Sequence, residues 1–425
     1  MTEYQVNQVF TPTKPAILSY TERNSKINNH LIDALMTPGK QIVLYGHSGC
    51  GKSTLLINKL NETYESYFIT RCTKSMGFDQ VLLDGFDQLE EVYNQKTERK
   101  TFKISPELSI DYQDIKASFK LFEKTKETEI NKISLIPPQL TPRKLAKFFG
   151  EAKACWILED FHKIKEDEKS KTSQLMKVFM DMSLDYDEVK IIAIGALGTA
   201  RQVIEYDQEM NNRVSEIFVP YMSDKEISNI ITTGEKLLNL RFAKDVKDKI
   251  IKFSCGLPSI CHQLCLNICF NLKIYKTQKN LRAINIEDLD KAIEKFLEEK
   301  SDSLKADYDR AVKVIRQSKN NLPEKIIEVC LNLNKDEFTF EEILEKIDKK
   351  TFNLKEIEKV VSELISIKRA EILFFDEYSN RYRFSNLFLK AYCSLKLKDR
   401  LSDDLKEKKA KIIEKLLDII ERDLH

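Results

Sequence analysis

The run Gly46-His47-Ser48-Gly49-Cys50-Gly51-Lys52-Ser53-Thr54 carries the most specific chemistry in this sequence. Gly46, Gly49 and Gly51 permit backbone conformations closed to other residues. With Ser48 and Cys50 between them, successive N–H groups can turn inward on an anion. Lys52 then supplies positive charge for the β- and γ-phosphates of a nucleotide, the Ser53 hydroxyl a ligand for Mg²⁺, and Thr54 a contact near the α/β-phosphates, in the spacing GxxxxGKS. A plain glycine turn would leave Lys52 unexplained. Gln41 to Tyr45 is a short apolar run that reads as a buried strand, and helical periodicity starts at Ser53. A glycine loop between strand and helix sets the phosphates at the positive end of a helix.

A second piece of the same chemistry is an acid closing another buried strand. Ala154 to Leu158 (ACWIL) reads as that strand, and Glu159-Asp160 follow it. One carboxylate would hold Mg²⁺ through water, and the other would orient or deprotonate an attacking water. By register Glu159 is the metal-side residue and Asp160 the water-side one. Two surface acids at a loop start are the bland alternative. Val189 to Gly195 reads as a further strand, and the turn after it places Thr199 or Arg201 where a γ-phosphate could be sensed. Arg213 stands directly before a strand read over Ser215 to Pro220, from where a guanidinium could reach a phosphate across a subunit boundary. A surface ion pair accounts for it equally well.

The elements around these residues must form more than one packed unit, because 425 residues exceed one usual core and 42% are apolar. Lys plus Arg (69) nearly cancels Asp plus Glu (67), so no global field draws the chain to nucleic acid or anionic lipid, and any DNA contact must be local. No apolar run approaches the roughly 20 residues that span a bilayer, the start MTEYQVNQ lacks signal-peptide blocks, and the nine cysteines form no disulfide framework. The cytoplasm is the expected compartment, with no membrane partner.

In order along the chain stand the segment YTERN (Tyr20 to Asn24), the glycine loop, the acidic strand end, a sensor strand, the Arg213 segment NRVSEIFVP, and Gly256-Leu257-Pro258. This order resembles the AAA+ and STAND group of P-loop ATPases, especially prokaryotic STAND-like and origin-recognition-like members, over roughly residues 10 to 300. The resemblance implies ATP and Mg²⁺ as cofactors, an α/β P-loop domain with a parallel sheet and a helical lid, and Pro258 facing the nucleotide at the start of a lid helix. Departures from the group are the inverted Glu-Asp pair, no polar residue inside the sensor strand, and no arginine in the helix after Pro258.

Asp79 to Gly150 is long for a connection, and its charged middle reads as an insertion at about 90–135 on the ATPase scaffold. Thr141 reads as an N-cap before Pro142, with Leu145, Phe148 and Phe149 as an apolar stripe. Cys261, Cys265 and Cys269 share one helical stripe and read as core rather than as metal ligands. His162 reads as a histidine bonded to the scaffold, and His47 carries no assigned chemistry.

From Ser303 the segment KSDSLKADYDRA reads as a charged linker. Helices over Pro323 to Leu333, Thr339 to Ile347 and Leu354 to Ile367 follow, then a hairpin around Glu377-Tyr378-Ser379-Asn380. That order looks like an α+β winged-helix module, without a charge excess for reading DNA. The expected division is therefore 1–220 ATPase core, 221–302 helical lid, 303–395 winged helix and 396–425 an amphipathic helix. The function expected is an ATP-binding and hydrolysing switch that forms homo-oligomers or recruits a separate effector, in prokaryotic antiviral defence. The alternative is a DNA-binding loader or transposition-type ATPase.

Overall fold

The computed structural model describes residues 2–64, 66–94, 140–196, 212–254, 256–299, 301–313, 321–333, 335, 337–347, 352–376, 380–385, 389–390 and 392–393. The expected insertion at about 90–135, the hairpin tip at 377–379 and the helix at 396–425 fall mainly or wholly outside them.

The chain divides into two compact units. The first is Met1–Phe242 with Gly256–Leu266 and Ile274–Ala283; the second is Ala243–Cys255 with Asn267–Lys273 and Ile284–His425. In the first, β1 (Gln41–Tyr45), β2 (Ser66–Arg71), β3 (Ala154–Glu159), β4 (Lys190–Gly195) and β5 (Val214–Phe218) form one sheet in the order β2-β3-β4-β1-β5. Every pairing is parallel. These strands are short apolar runs because a parallel sheet is covered on both faces. Side chains alternate accordingly. Ile42 and Leu44 pack with Ile157, Ile192 and Ile217 beneath α2 (Ser25–Met36), which follows the one-turn α1 (Val6–Val9), and α3 (Lys52–Thr63). Val43, Trp156, Leu158, Ile191 and Ala193 pack on the opposite face. That face is covered by α4 (Phe78–Asn94), α5 (Pro142–Glu151) and α6 (Glu166–Met182).

Local chemistry sets several of these boundaries. The Thr141 hydroxyl accepts from the Lys144 N–H at 3.3 Å, Pro142 opens α5, and Leu145, Phe148 and Phe149 are buried. Trp156, the one tryptophan, is fully buried, stacks on Phe149 with ring centroids 5.4 Å apart, and donates its indole N–H to the Thr70 hydroxyl at 2.8 Å. An aromatic side chain buried to this degree contributes about 3 kcal/mol. Because all five strands run one way, their carboxyl ends share one edge: Tyr45 lies beside Gly195 and Phe218, and Arg71 beside Glu159. Clefts at that edge are where open α/β sheets bind ligands. Beyond β5, still in the first unit, come α7 (Asp224–Leu238), opened by a Ser223–Glu226 capping box, and β6 (Leu240–Phe242).

The second unit begins with α8 (Lys244–Ser254) and shares α9 (Pro258–Asn271) and β7 (Arg282–Ile284) with the first. It continues through α10 (Ile286–Glu299) and α11 (Ser301–Val312). The charged segment expected to be a linker is thus helical; Leu304, Tyr308 and Ala311 are buried along one stripe that the charges around them masked. The expected three helices follow as α12 (Leu322–Asn332), α13 (Phe340–Lys346) and α14 (Leu354–Leu364), with side-chain caps at Asn321, Thr339 and Asn353. An antiparallel hairpin of β8 (Leu373–Asp376) and β9 (Arg381–Phe384) completes the run, and Phe338 bridges to Tyr382.

Candidate nucleotide site at the carboxyl edge of the sheet

The glycine loop leaves β1 at the carboxyl edge and enters α3 at Lys52. Gly46, Gly49 and Gly51 all have positive φ, at +154°, +77° and +91°. A Cβ on Gly46 would stand 2.4 Å from the Val219 carbonyl oxygen, and one on Gly49 2.6 Å from the Ser259 Oγ, so at both positions only glycine fits. The first N–H groups of α3 have no intrahelical acceptor and point out of its amino end. Lys52 Nζ donates to the carbonyls of Gly46 (3.0 Å) and His47 (2.7 Å), which holds the ammonium across the loop. His47 itself stacks on Tyr221, ring centroids 4.8 Å apart.

Beneath the loop, Ser53 Oγ donates to Glu159 Oε1 at 2.6 Å. Two residues 106 apart in sequence are brought together because α3 and the end of β3 converge on one edge. Arg71, beside Glu159 on β2 and 82% exposed, reaches the other carboxylate oxygen at 3.5 Å. Asp160 takes a left-handed conformation, φ +59°, and accepts from Lys163 Nζ at 2.6 Å. His162 accepts from the Ala196 N–H at 3.3 Å through Nδ1, so it is tied to the end of β4, and burial holds its pKa below the usual histidine range.

Ser48, Gly49, Gly51, Lys52, Ser53, Thr54, Glu159, Asp160 and Pro258 all line one cavity of about 600 Å³. Pro258 opens α9, with its Cγ 3.4 Å from the position of a Cβ on Gly51. Gly46 and Cys50 do not line the cavity. The Cys50 thiol is fully buried and donates to the Val219 carbonyl at 3.4 Å, so any role for Cys50 with a ligand is through its backbone. Thr54 Oγ1 accepts weakly from the Ala16 N–H at 3.4 Å. The cavity continues away from Lys52 to Thr11, Tyr20, Thr21, Met222, Ile230 and His262. There the Thr11 N–H donates to His262 Nδ1 at 3.2 Å, and burial pulls the pKa of His262 down to about 4, which keeps the ring neutral. The hydroxyls of Thr11, Tyr20 and Thr21 have no hydrogen-bond partner among the described residues.

The chemistry of this donor set fits Mg²⁺. One hydroxyl and one carboxylate are hard oxygen ligands, and Mg²⁺ sites use one or two protein ligands together with substrate phosphates. Among the described residues no group of three or more His, Cys, Asp or Glu could hold a metal alone. Cys261, Cys265 and Cys269 are buried in α9.

Thr199 and Arg201 fall outside the described residues. Among the described residues one sequence expectation lies elsewhere. Arg213 stands at the amino end of β5, its carbonyl accepting from the Gln41 N–H at 2.9 Å, so it sits at the edge opposite the glycine loop. Its guanidinium is 60% exposed and 3.9 Å from Asp181.

Sequence reasoning assigned no role at this site to Thr11, Tyr20, Thr21, Met222, Ile230 or His262, nor to Arg23, which holds the glycine loop from behind. Arg23, with a side chain only 2% exposed, directs its guanidinium to the carbonyls of Cys50 in the glycine loop (3.4 Å) and Pro220, and to Glu226 at the start of α7 (3.6 Å). It therefore positions the loop against the chain that enters α7. Its sequence signal was the YTERN segment, whose arginine had no partner visible in the sequence.

The chain matches no protein-family model and no curated protein. Among solved structures it is similar to a Walker-type ATPase of Pyrococcus abyssi, at 12% identity and TM-score 0.46 over 89% of this chain and 100% of that one. It is also similar to Cdc6p of Pyrobaculum aerophilum (13%, TM-score 0.43, 93% of this chain and 98% of that one) and to the ORC2 protein of Aeropyrum pernix (10%, 0.47, 93% and 98%). Likenesses this distant carry no functional weight. The chain's own parallel sheet, with the glycine loop between its first strand and the following helix, has the architecture of a P-loop NTPase. No helix among the described residues is long and apolar enough to cross a membrane.

Proposed function

We propose that this chain binds ATP with Mg²⁺ and hydrolyses it, and that the ATP-bound state is a switch that assembles copies of the chain or recruits a separate effector. The observation that carries the proposal is the Ser53–Glu159 contact directly under a glycine loop spanned by Lys52. Backbone N–H groups of the loop and the amino end of α3 hold the phosphates, and Lys52 turns from the loop carbonyls to the β- and γ-phosphates. Bound Mg²⁺ would neutralise charge on those phosphates, with Ser53 and Glu159 as its protein ligands. Asp160, one residue further, orients a water and takes its proton as the water attacks the γ-phosphorus. The bond to the bridging oxygen breaks and ADP leaves with the electron pair. Thr11, Tyr20, Thr21 and His262 enclose the base end of the nucleotide, and Pro258 abuts the loop.

The switch reading draws on the division into core, lid and winged helix at residues 220 and 302, in which the run α12-α13-α14-hairpin is the winged-helix module. A separate effector and a defence setting are supported by the resemblance to STAND-type ATPases. A ligand that binds one arrangement better than another shifts the balance by that difference in affinity. Isothermal titration calorimetry with ATP and Mg²⁺ tests the site: the wild type should bind, and Lys52→Ala should lose affinity on the order of 10²-fold. Equal affinity in the two proteins would refute it.

A further inference from the structure

From Phe253 to Ile286 the chain contains no Asp or Glu, although 67 of its 425 residues are acidic. Within that stretch cations recur at every third position: Lys273, Lys276, Lys279 and Arg282. The segment is held in place. The Thr277 N–H donates to the Tyr4 carbonyl (3.0 Å), the Gln278 N–H to the Leu238 carbonyl (2.9 Å) and the Arg282 N–H to the Asn239 carbonyl (3.1 Å). The Thr277 hydroxyl donates to the Leu237 carbonyl at 2.9 Å, and Asn239 Nδ2 to the Gln278 carbonyl at 3.0 Å. The strand β6, whose central Arg241 faces outward, pairs with β7, which begins at Arg282.

This acid-free ribbon projects its charges into solvent. Residues 279–283 are all exposed, and Tyr275, beside Lys276, is 59% exposed. Arg241, Lys279 and Arg282 make no ion pair among the described residues; Lys276 pairs with Glu3 at 3.0 Å, both side chains more than half exposed. The carboxyl end of α7 favours a nearby cation by about 0.3–1 kcal/mol, but Lys236 already stands in its last turn. Three further cations without an acid partner among the described residues, Arg241, Lys279 and Arg282, exceed what one helix end stabilises.

We propose that the ribbon formed by Arg241 and residues 275–282 binds the phosphodiester backbone of a nucleic acid, independently of base sequence. Arg241, Lys279 and Arg282 contact phosphates, and the exposed Tyr275 stands at the start of the ribbon. Charge complementarity selects the occupant: a row of cations on a fixed backbone matches a polymer with one charge per phosphate. The near-neutral total charge leaves such a contact to a local patch of this kind.

The test is fluorescence anisotropy of a fluorescein-labelled single-stranded DNA 20-mer with the full chain and with a triple variant, Arg241→Gln, Lys279→Gln and Arg282→Gln, in 50 and 200 mM salt. Each lost phosphate contact removes about 0.7 from the log–log salt slope for single strands. Over that salt range the wild-type affinity should therefore fall about 20-fold more than the variant's. The variant should keep the wild-type thermal unfolding midpoint and ATP affinity, because the three side chains are exposed and do not line the nucleotide cavity. The absence of DNA binding by the wild type at 50 mM salt, or an unchanged slope in the variant, overturns the proposal. So does binding to phosphatidylserine vesicles without binding to DNA. A failed Lys52→Ala experiment would leave this proposal standing, since it does not depend on ATP.

Discussion

At the carboxyl edge of the sheet the chain adopts positive φ at Gly46, Gly49, Gly51 and Asp160, and charged groups line a cavity. At the amino edge of the same strands, polar groups are sealed in and matched. Lys190 is fully buried and its ammonium donates to the carbonyls of Ala34 (2.9 Å), Leu35 (2.6 Å) and Thr37 (3.1 Å) at the end of α2. Gln41, also fully buried, accepts from the Ile191 N–H at 2.7 Å and donates to the Gly39 carbonyl at 3.3 Å. A left-handed Asp160 costs roughly 1 kcal/mol, which the ordered amino edge and the two apolar faces easily offset. The same five strands thus separate stability from chemistry: one end is satisfied by protein partners, and the other keeps donors and strain for a ligand.

The largest effect expected from breaking this contrast is at Lys190. Lys190→Met leaves three carbonyls at the end of α2 without their donor and should lower the unfolding free energy by about 3 kcal/mol. Urea unfolding followed by Trp156 fluorescence measures it, and ATP affinity should be retained. A sign can be read from pH. Burial lowers the folded pKa of Lys190 to about 8, against 10.5 for the free side chain. Below pH 8 both states carry the proton. Between those values the unfolded chain holds more protons, so this group makes the wild type more stable as pH rises. The gap between wild type and Lys190→Met should therefore widen above pH 8, by at most about 1.4 kcal/mol per pH unit. A constant gap would mean that the three carbonyls keep the buried ammonium charged throughout.

A smaller effect, confined to turnover, is expected at the opposite edge. Glu159→Gln removes a carboxylate from the Ser53 contact, and Asp160→Asn removes the proposed proton acceptor. Either should slow hydrolysis on the order of 10²-fold, equivalent to about 2.7 kcal/mol, while ATP still binds. The two variants differ in one respect. Raising Mg²⁺ should partly restore Glu159→Gln and leave Asp160→Asn unchanged. If magnesium rescues Asp160→Asn instead, the two roles are exchanged.

Much of the carboxyl edge was legible in the sequence because its signals are local. Glycines, Lys52 and Ser53 are consecutive, Glu159-Asp160 directly follow an all-apolar run, and Thr141-Pro142 announce their helix by capping chemistry alone. Contacts that depend on tertiary distance were not legible. The partners of Arg23 lie 27 and 197 residues away, so nothing near YTERN identifies the Cys50 and Pro220 carbonyls. Lys190 opens an apolar strand and gives no hint that it caps the end of α2. The helix Ser301–Val312 was hidden by its charges, since the buried positions described in it, Leu304, Tyr308 and Ala311, make a narrow stripe. The order β2-β3-β4-β1-β5 is likewise a property of pairing between strands, with no signature in any one of them.

The smallest effect on the chain itself is expected at Arg213, where the two edges meet only if two copies do. Its exposed contact with Asp181, 3.9 Å away, contributes no more than about 0.5 kcal/mol, so Arg213→Ala should unfold almost as the wild type does. Arg213 is separated from its own glycine loop by the length of a five-residue strand, roughly 17 Å. A phosphate contact from this residue therefore has to be made to a second copy. Turnover by Arg213→Ala should match the wild type at dilutions where copies are apart and fall behind as concentration rises. Mixing Arg213→Ala with Lys52→Ala sharpens the test, because the second variant supplies an intact Arg213 to the intact loop of the first. Recovery of activity in the mixture identifies a contact between subunits, whereas a loss that persists at every dilution and mixing ratio refutes it.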